Sequence, residues 1–577
     1  MTAVAQLDRR AVAHALEQIA ELLELKGESG FRSRSFRTAA RAVRALALDL
    51  ATALAEGSMR DIRGVGPATL QVVTELAGTG RSTLLEELRE QVPPGLVEML
   101  RIPGLGVARI RQIHDLLDID SVPDLEAAAL DGRLATLPRF GVRTAENICD
   151  GIRFLRRART FRLAHHAADE ARVLAEMLAR LPDVLAVHPA GEVRRLCEVV
   201  ESLVMVVVSN LPPAGLLGRL RQLPGVDEVL EADERVVTVR FAGGTAARLM
   251  ATPPANAGAV LVHATGNDAH VRLLEARAAA MGMSLTGAAL WRGSTFVPTP
   301  DEAALYAALD LPWIPPEWRE GIDELDAAKG GVEPMLERGQ LRGLLHCHTQ
   351  YSDGTGTVRD LAEACEALGY EYVGITDHSG AAAYAGGLTA DSLLHQADQI
   401  DALNASGTGI RVLKGVEADI LQDGSLEYPP AVLDRLDFVI ASVHSRFNLD
   451  RAAMTARIVA AMQNPYVTII GHPTGRLLLQ REPYDLDLDT LLATAADRGV
   501  ALEINADPHR LDLGWRHLTR ARERGATVSI GADAHSVAGL ENVSWGVGMA
   551  RKARIAPSQV LNTRTAADLL AFARARH

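Results

Sequence analysis

The chain is 577 residues long, enough for several domains with cores of their own. Its net charge of −13 excludes a uniformly basic nucleic-acid binder, but residues 1–160 are balanced, with 22 Lys+Arg against 21 Asp+Glu, so a local basic surface is compatible with the composition. No stretch is long and apolar enough to span a membrane, the first ten residues run into charged helix-like sequence unlike a secretion signal, and four scattered cysteines without Cys-x-x-Cys spacing point to a reduced cytoplasm.

Residues 9–55 read as amphipathic helices whose apolar face is Val12, Ala15, Leu16, Ile19, Leu22 and Leu23. Within them, Gly30 to Arg37 interleaves Arg32, Arg34 and Arg37 with Phe31 and Phe36. Two readings stay open: a solvated helix start with core aromatics, or arginines beside a helix N-terminus that take phosphate.

Three glycine-containing turns follow: Ile62-Arg63-Gly64-Val65-Gly66-Pro67, Ile102-Pro103-Gly104-Leu105-Gly106-Val107 and Leu137-Pro138-Arg139-Phe140-Gly141-Val142, the last lacking the first glycine. A tight turn between short helices exposes backbone N–H groups at a helix start, which suits a phosphodiester without reading bases. These turns resemble helix-hairpin-helix elements, and Gly64, Gly66, Gly104 and Gly106 are the expected backbone contacts to DNA.

A helix from Phe161 to Arg180 leads to Pro189-Ala190-Gly191-Glu192-Val193-Arg194-Arg195 and a β-rich run from Leu203 to Val208. Further strands around Val236 to Phe241 precede Thr265-Gly266-Asn267-Asp268-Ala269-His270 and Pro312-Trp313-Ile314-Pro315-Pro316-Glu317. Residues 322–340, with Lys329-Gly330-Gly331, read as a linker.

In the remainder, apolar strands alternate with helices and end in polar residues. One runs to His346 and His348, with Asp353 just beyond; others run to His378, Glu417, His444, His472, Asn505, and Asp533 with His535. Seven strands are expected, and barrels of this kind collect their sites at C-terminal strand ends. Nine ligand-type side chains exceed one tetrahedral ion and suit two or three ions sharing a carboxylate. Such clusters favour phosphoester hydrolysis. Asn505 and Arg510 are candidate phosphate contacts, against a helix cap and a surface arginine. Cys347, between two candidate ligands, should face the other side of its strand.

Over residues 341–577 this pattern resembles the PHP (polymerase and histidinol phosphatase) domain, with all nine ligand positions filled. The resemblance implies one ion on His346, His348, Glu417 and Asp533, a second on Asp353, His378 and His472, and a third on His444 and His535 with Glu417 bridging. It makes His346, His348, Glu417, Asp533 and His535 the catalytic set. Taken in order, the whole chain is similar to bacterial family X DNA polymerases with a C-terminal PHP domain. The implied fold is multidomain: an α-helical hairpin region (1–85 and 86–158), an α+β nucleotidyltransferase-like palm and thumb (159–321), the linker (322–340) and an α/β barrel (341–577).

The chain departs from that family where it matters. The positions of two palm aspartates hold Ser202 and Val204, and the third falls at Arg248. The lysine of lyase-competent relatives falls at Val72. Without carboxylates a two-metal nucleotidyl-transfer site is not expected. The expected function is a metal-dependent 3′–5′ exonuclease or phosphodiesterase on DNA, using Mn²⁺ or Zn²⁺ with Mg²⁺ as an alternative; the sequence leaves the oligomeric state open, with a monomer favoured. The rivals are a small-molecule phosphatase of the histidinol-phosphatase type and a non-catalytic DNA-end-binding scaffold.

Overall fold

The computed structural model describes residues 9–576, apart from 29, 45–49, 56, 58, 60–64, 103, 243, 332–333 and 408. Gly64 therefore lies outside the described residues, as do the first eight positions. The chain forms two compact units, Met1–Thr160 and Phe161–His577.

The first unit is helical. The apolar stripe read from the sequence is its core: Val12, Leu16, Ile19 and Leu23 pack with Phe36, and the same cluster continues to Ile152 and Leu155. Phe36 is buried while Phe31 is exposed, so the two phenylalanines divide between the two readings. Val72 is core on the helix Pro67–Thr79.

Gly66 and Gly106 stand immediately before the helices Pro67–Thr79 and Val107–Leu117. In the second turn Gly104 adopts φ 78°, and in the third Arg139 takes the same left-handed backbone at φ 66°. The third turn thus keeps its conformation without glycine, at a local cost of roughly 1 kcal/mol. Arg109 of the second hairpin lies over the Phe140 ring, 6.0 Å from its centroid, and Gln112 donates to the Pro138 carbonyl.

The second unit begins with a five-stranded mixed sheet in the order Val184–Pro189, Leu203–Ser209, Ala246–Thr252, Val236–Phe241, Val226–Ala232. In the parallel pair at its centre Val204 stands opposite Arg248. Helices and a three-stranded antiparallel sheet from Ala257 to Ala308 pack around Leu274, Leu290, Tyr306 and Trp318. The segment expected as a linker carries a short helix, Glu324–Lys329, whose Ala328 joins that core.

The last part is a parallel β-sheet wrapped by helices. Its order is Arg411–Lys414, Tyr372–Ile375, Gly343–Cys347, Val528–Ala534, Ala501–Asn505, Val467–Ile470, Val439–Ser442, Glu417–Asp419. That is eight segments, where seven were expected. The two edge segments are one predicted strand interrupted at Gly415-Val416. A Cβ at Gly415 would sit 2.7 Å from the Phe438 ring, so the chain bends there around a side chain that fills the interior. Hydrogen bonding continues across the break: Gly415 N donates to Ile375 O on one side and Ile440 N to Val416 O on the other.

Alternation sorts the strands' side chains. Leu345, Tyr372, Leu413, Ile440, Ile469 and Ala501 form an inner cluster with Leu569 and Leu570 of the last helix. Leu344, Val373 and Val412 belong to the outer core beneath the surrounding helices, and Cys347 joins them although it is two residues from inner Leu345, because the ladder shifts register there around the left-handed backbone of His346; Cys347 thus faces away from the site. The turn at Asn562 bonds Gly343 O at the strand start and leaves the opposite, C-terminal end for polar residues.

Candidate metal centre

Those C-terminal ends gather all nine expected ligands. His346, His348, His378, Glu417, His472 and Asp533 are buried; Asp353 and His535 keep about a third of their side chains exposed at 33% and 30%, marking the open edge. His346, His472 and Asp533 have left-handed backbones, with φ 63°, 25° and 47°. A non-glycine residue held there costs about 1–3 kcal/mol, and such strain concentrates at functional sites.

Glu417 is the hub. Its Oε2 lies 3.4 Å from His346 Nε2, 3.7 Å from His348 Nε2 and 2.9 Å from His378 Nδ1. Its Oε1 lies 2.8 Å from His472 Nε2 and 3.2 Å from His444 Nε2. Asp533 Oδ1 approaches His348 Nε2 at 3.3 Å and His346 Nε2 at 3.6 Å, completing the first expected set. The remaining ligands lie around these. His535 Nε2 stands 3.3 Å from Asp353 beside His378, while His472 shares Glu417 with His444.

Buried atoms at the centre lack hydrogen-bond partners among the described residues: His346 Nε2, both nitrogens of His348, His378 Nδ1, His444 Nε2 and Glu417 Oε2. Leaving so many buried polar atoms unmet costs about 1–3 kcal/mol each, and nitrogen and carboxylate donors facing one point are what divalent cations satisfy. The residues fit such ions: among the described residues three groups of ligand atoms, sharing His348 and His378, each lie close enough to hold one.

Electrostatics agrees. Burial opposes ionisation of Glu417, but His444 and His346 hold its carboxyl well below the usual range. Burial likewise opposes charge on Asp533, and His346 and His348 outweigh it. His348, buried and beside His535 and His378, falls to about 4. His444 rises to about 9 and His535 to about 9, in each case because carboxylates overcome burial. Asp353 drops to about 2 against its burial, chiefly through His535.

Several organising residues were not read from the sequence. Glu503 Oε1 lies 2.5 Å from His346 Nδ1, and its Oε2 accepts from His472 N at 2.6 Å and Asn505 Nδ2 at 3.1 Å. This fixes the tautomer that leaves His346 Nε2 facing the centre. Asp419 does the same for His444 Nδ1 at 3.1 Å. Asp377 accepts from Thr349 N, Thr349 Oγ1, Ser352 N, Ser352 Oγ and Gln396 Nε2, and so fixes the turn before Asp353. Tyr384 is 71% exposed, with its ring centroid 6.1 Å from His378 and 6.3 Å from His444.

Asn505 is not placed to take a phosphate. It is fully buried, and its amide donates to Glu503 and to Asp533 Oδ2 at 3.0 Å, so both protons are spent on carboxylates. Arg510 is placed differently: its Nε is 3.4 Å from Asp533 Oδ2 and its side chain remains 19% exposed. In the helical unit, Arg32 pairs with Glu28 at 2.8 Å and Arg37 with Glu24 at 2.7 and 2.9 Å. Arg34 packs its guanidinium over Gly30.

Taken together, a parallel barrel with a histidine–carboxylate cluster at its C-terminal end defines a metal-dependent phosphoesterase class. Sequence comparison agrees: the PHP domain model matches residues 345–507, the DNA polymerase beta thumb 260–320, the helix-hairpin-helix domain 8–82 and the SAM-like helix-hairpin-helix tandem 96–153. Over 570 residues the chain is 35% identical to the DNA polymerase/3′-5′ exonuclease PolX of Bacillus subtilis, covering 98% of this chain and 99% of that protein. The chain belongs to the bacterial family X DNA polymerases with a C-terminal PHP domain. Probable phosphatases of Thermoanaerobacter and Caldanaerobacter subterraneus are 32% and 29% identical, but over only 27% and 35% of this chain and 65% and 80% of their own lengths.

Proposed function

We propose that this protein trims DNA 3′ ends by metal-dependent phosphodiester hydrolysis in its PHP barrel and no longer polymerises. The observation that carries the reading is the buried cluster around Glu417, with its unmet nitrogen and oxygen atoms. Divalent ions held by His346, His348, Asp353, His378, Glu417, His444, His472, Asp533 and His535 would lower the pKa of a water and stabilise the leaving oxygen. Mn²⁺ or Zn²⁺ suits the histidine-rich set, with Mg²⁺ an alternative. The chain's own residues do the rest. Glu503 and Asp419 orient ligands, Arg510 offers a cation to the substrate phosphate, and Tyr384 offers an open ring face to a terminal base.

The palm supports the loss of polymerisation. Val204 and Arg248 face each other on the central strand pair, and Glu198 is engaged by Arg476. A 310 Å³ pocket at this place is lined by Val204, Arg248, Met250, His263, Asp268 and Arg272 among others, with no carboxylate on the strand pair itself. An arginine where a metal-holding carboxylate belongs repels the ions.

Helix-hairpin turns with open glycines suit DNA backbone, which favours this reading over a phosphatase for small esters. The full ligand set favours it over a non-catalytic scaffold. No described helix is long and apolar enough to cross a membrane. The four cysteines are unpaired, as a reducing cytoplasm would keep them. The proposed domains are 1–85, 86–158, 159–321 and 341–577, joined by 322–340. The test is 3′ trimming of a labelled primer-template with Mn²⁺ by wild type and by His346→Ala: loss of trimming in the variant supports the assignment, and full activity refutes it.

A further inference from the structure

Arg476 lies four residues beyond His472, on the loop that leaves the strand Val467–Ile470. Its guanidinium joins two parts of the molecule. Nε donates to the Arg510 carbonyl at 2.9 Å and Nη2 donates to the Leu511 carbonyl. The same Nη2 pairs at 3.3 Å with Glu198, which stands just before the short strand Val199–Val200 that leads into the palm-sheet strand Leu203–Ser209. Both side chains are mostly buried, 17% and 16% exposed, so the pair is screened little by solvent. A Cβ at Gly514 would stand 2.8 Å from the Arg476 guanidinium and 3.2 Å from Glu198 Oε1, so a side chain there would push the guanidinium from its place.

The segment so held is the one that carries Arg510. Leu478 N donates to His509 O at 2.7 Å, and Thr474 N to Asp512 Oδ2 at 3.0 Å, from the barrel side. From the palm side, the His165 ring lies 5.2 Å from the His509 ring. The Glu198 carboxylate therefore connects through one planar fork to the backbone of Arg510, whose Nε reaches toward Asp533. Arginine suits this role because its rigid donors span two carbonyls and a carboxylate at once; lysine does not.

We propose that the palm, having lost polymerase carboxylates, serves the nuclease: Glu198 is a positioning residue that, through Arg476, sets Arg510 against the substrate phosphate. This rests on the reading of Arg510 as that contact. Without Glu198 the buried guanidinium of Arg476 loses its ion-pair partner among the described residues, and the Arg510 segment loses its tie to the palm.

The test is a double-mutant cycle on the full chain, following 3′ trimming of a labelled primer-template with Mn²⁺ under conditions that separate kcat from KM. Arg510→Ala is expected to lower kcat/KM by about thirty-fold, and Glu198→Ala by about five-fold, through loss of charge-assisted contacts. The double variant should match Arg510→Ala within about two-fold, because Glu198 acts only through Arg510. Glu198→Gln, which keeps an acceptor for Arg476, should recover most of the activity; should the alanine variant fail to fold, Arg476→Lys takes its place in the cycle, expected to lower kcat/KM about five-fold alone and to add nothing to Arg510→Ala. Full additivity of the two losses, or unchanged kcat/KM in both Glu198 variants, overturns the proposal. Absence of trimming by the wild-type protein instead overturns the function proposed for the barrel.

Discussion

Glu503→Gln changes one buried oxygen to an amide at the back of the metal centre and leaves the nine expected ligands intact. The carboxylate receives three hydrogen bonds: His346 Nδ1–H on Oε1, and His472 N–H and Asn505 Nδ2–H on Oε2. A glutamine has one oxygen for these donors. Whichever way its amide turns, an NH₂ group meets a donor, and at least one buried N–H is left unpaired. That costs about 1–3 kcal/mol. If His346 relieves the clash by shifting its proton, Nε2 becomes the protonated nitrogen and can no longer hold a cation. The expected result is a 10- to 100-fold weaker affinity for Mn²⁺, the range found when second-layer partners of metal-bound histidines are removed. Chelator competition would read the affinity, and trimming rates at limiting and saturating Mn²⁺ would show whether added metal restores activity. Affinity within two-fold of wild type would refute the argument that Glu503 fixes His346.

Metal affinity should rise as pH increases from 6 to 9, because His444 and His535, each raised to about 9, must shed protons to bind; a pH series of Mn²⁺ titrations with proton-release measurement checks this. In the metal-free protein the sign reverses: the raised histidines stabilise the fold below about pH 6.5 and lose that contribution as pH climbs through about 9, which melting curves with chelator would show. DNA affinity should depend steeply on salt and little on sequence. Gly106→Val, whose Cβ meets open space at φ −83°, should leave folding intact while weakening duplex binding several-fold in anisotropy titrations. Tyr384→Ala should raise KM about ten-fold for a primer with a normal 3′ base and leave a 3′-abasic primer unchanged, while Tyr384→Phe behaves as wild type.

The ligands were legible because all but Asp353 close an apolar run, and a polar side chain at a strand's C-terminal end has few structural reasons to recur seven times. The layer behind them was written less plainly. Glu503 shares the inward face of its strand with Ala501 and Asn505, so a lone acid in a period-two apolar pattern was a usable signal. Asp419 stands two residues after Glu417 in the same way. That His535 stands beside Asp353 and His472 beside His444 depends on how strands curl around the barrel, which no spacing encodes. The break at Gly415 arises from the Phe438 ring, a contact between distant segments. The same limit hid the Glu198–Arg476 pair, 278 residues apart in sequence. Asn505 was correctly placed at a strand end but wrongly faced, because both of its amide protons are taken by buried acids that the sequence does not set beside it.

The most direct measurement follows a 3′-recessed labelled primer-template with Mn²⁺ and all four deoxynucleoside triphosphates, using wild type and Asp533→Ala. Asp533 lies within the cluster and outside the palm, so the variant disables trimming while sparing any synthesis. The account predicts that wild type shortens the primer and that the variant leaves it unchanged. Primer extension by the variant, or trimming at the wild-type rate, would contradict it.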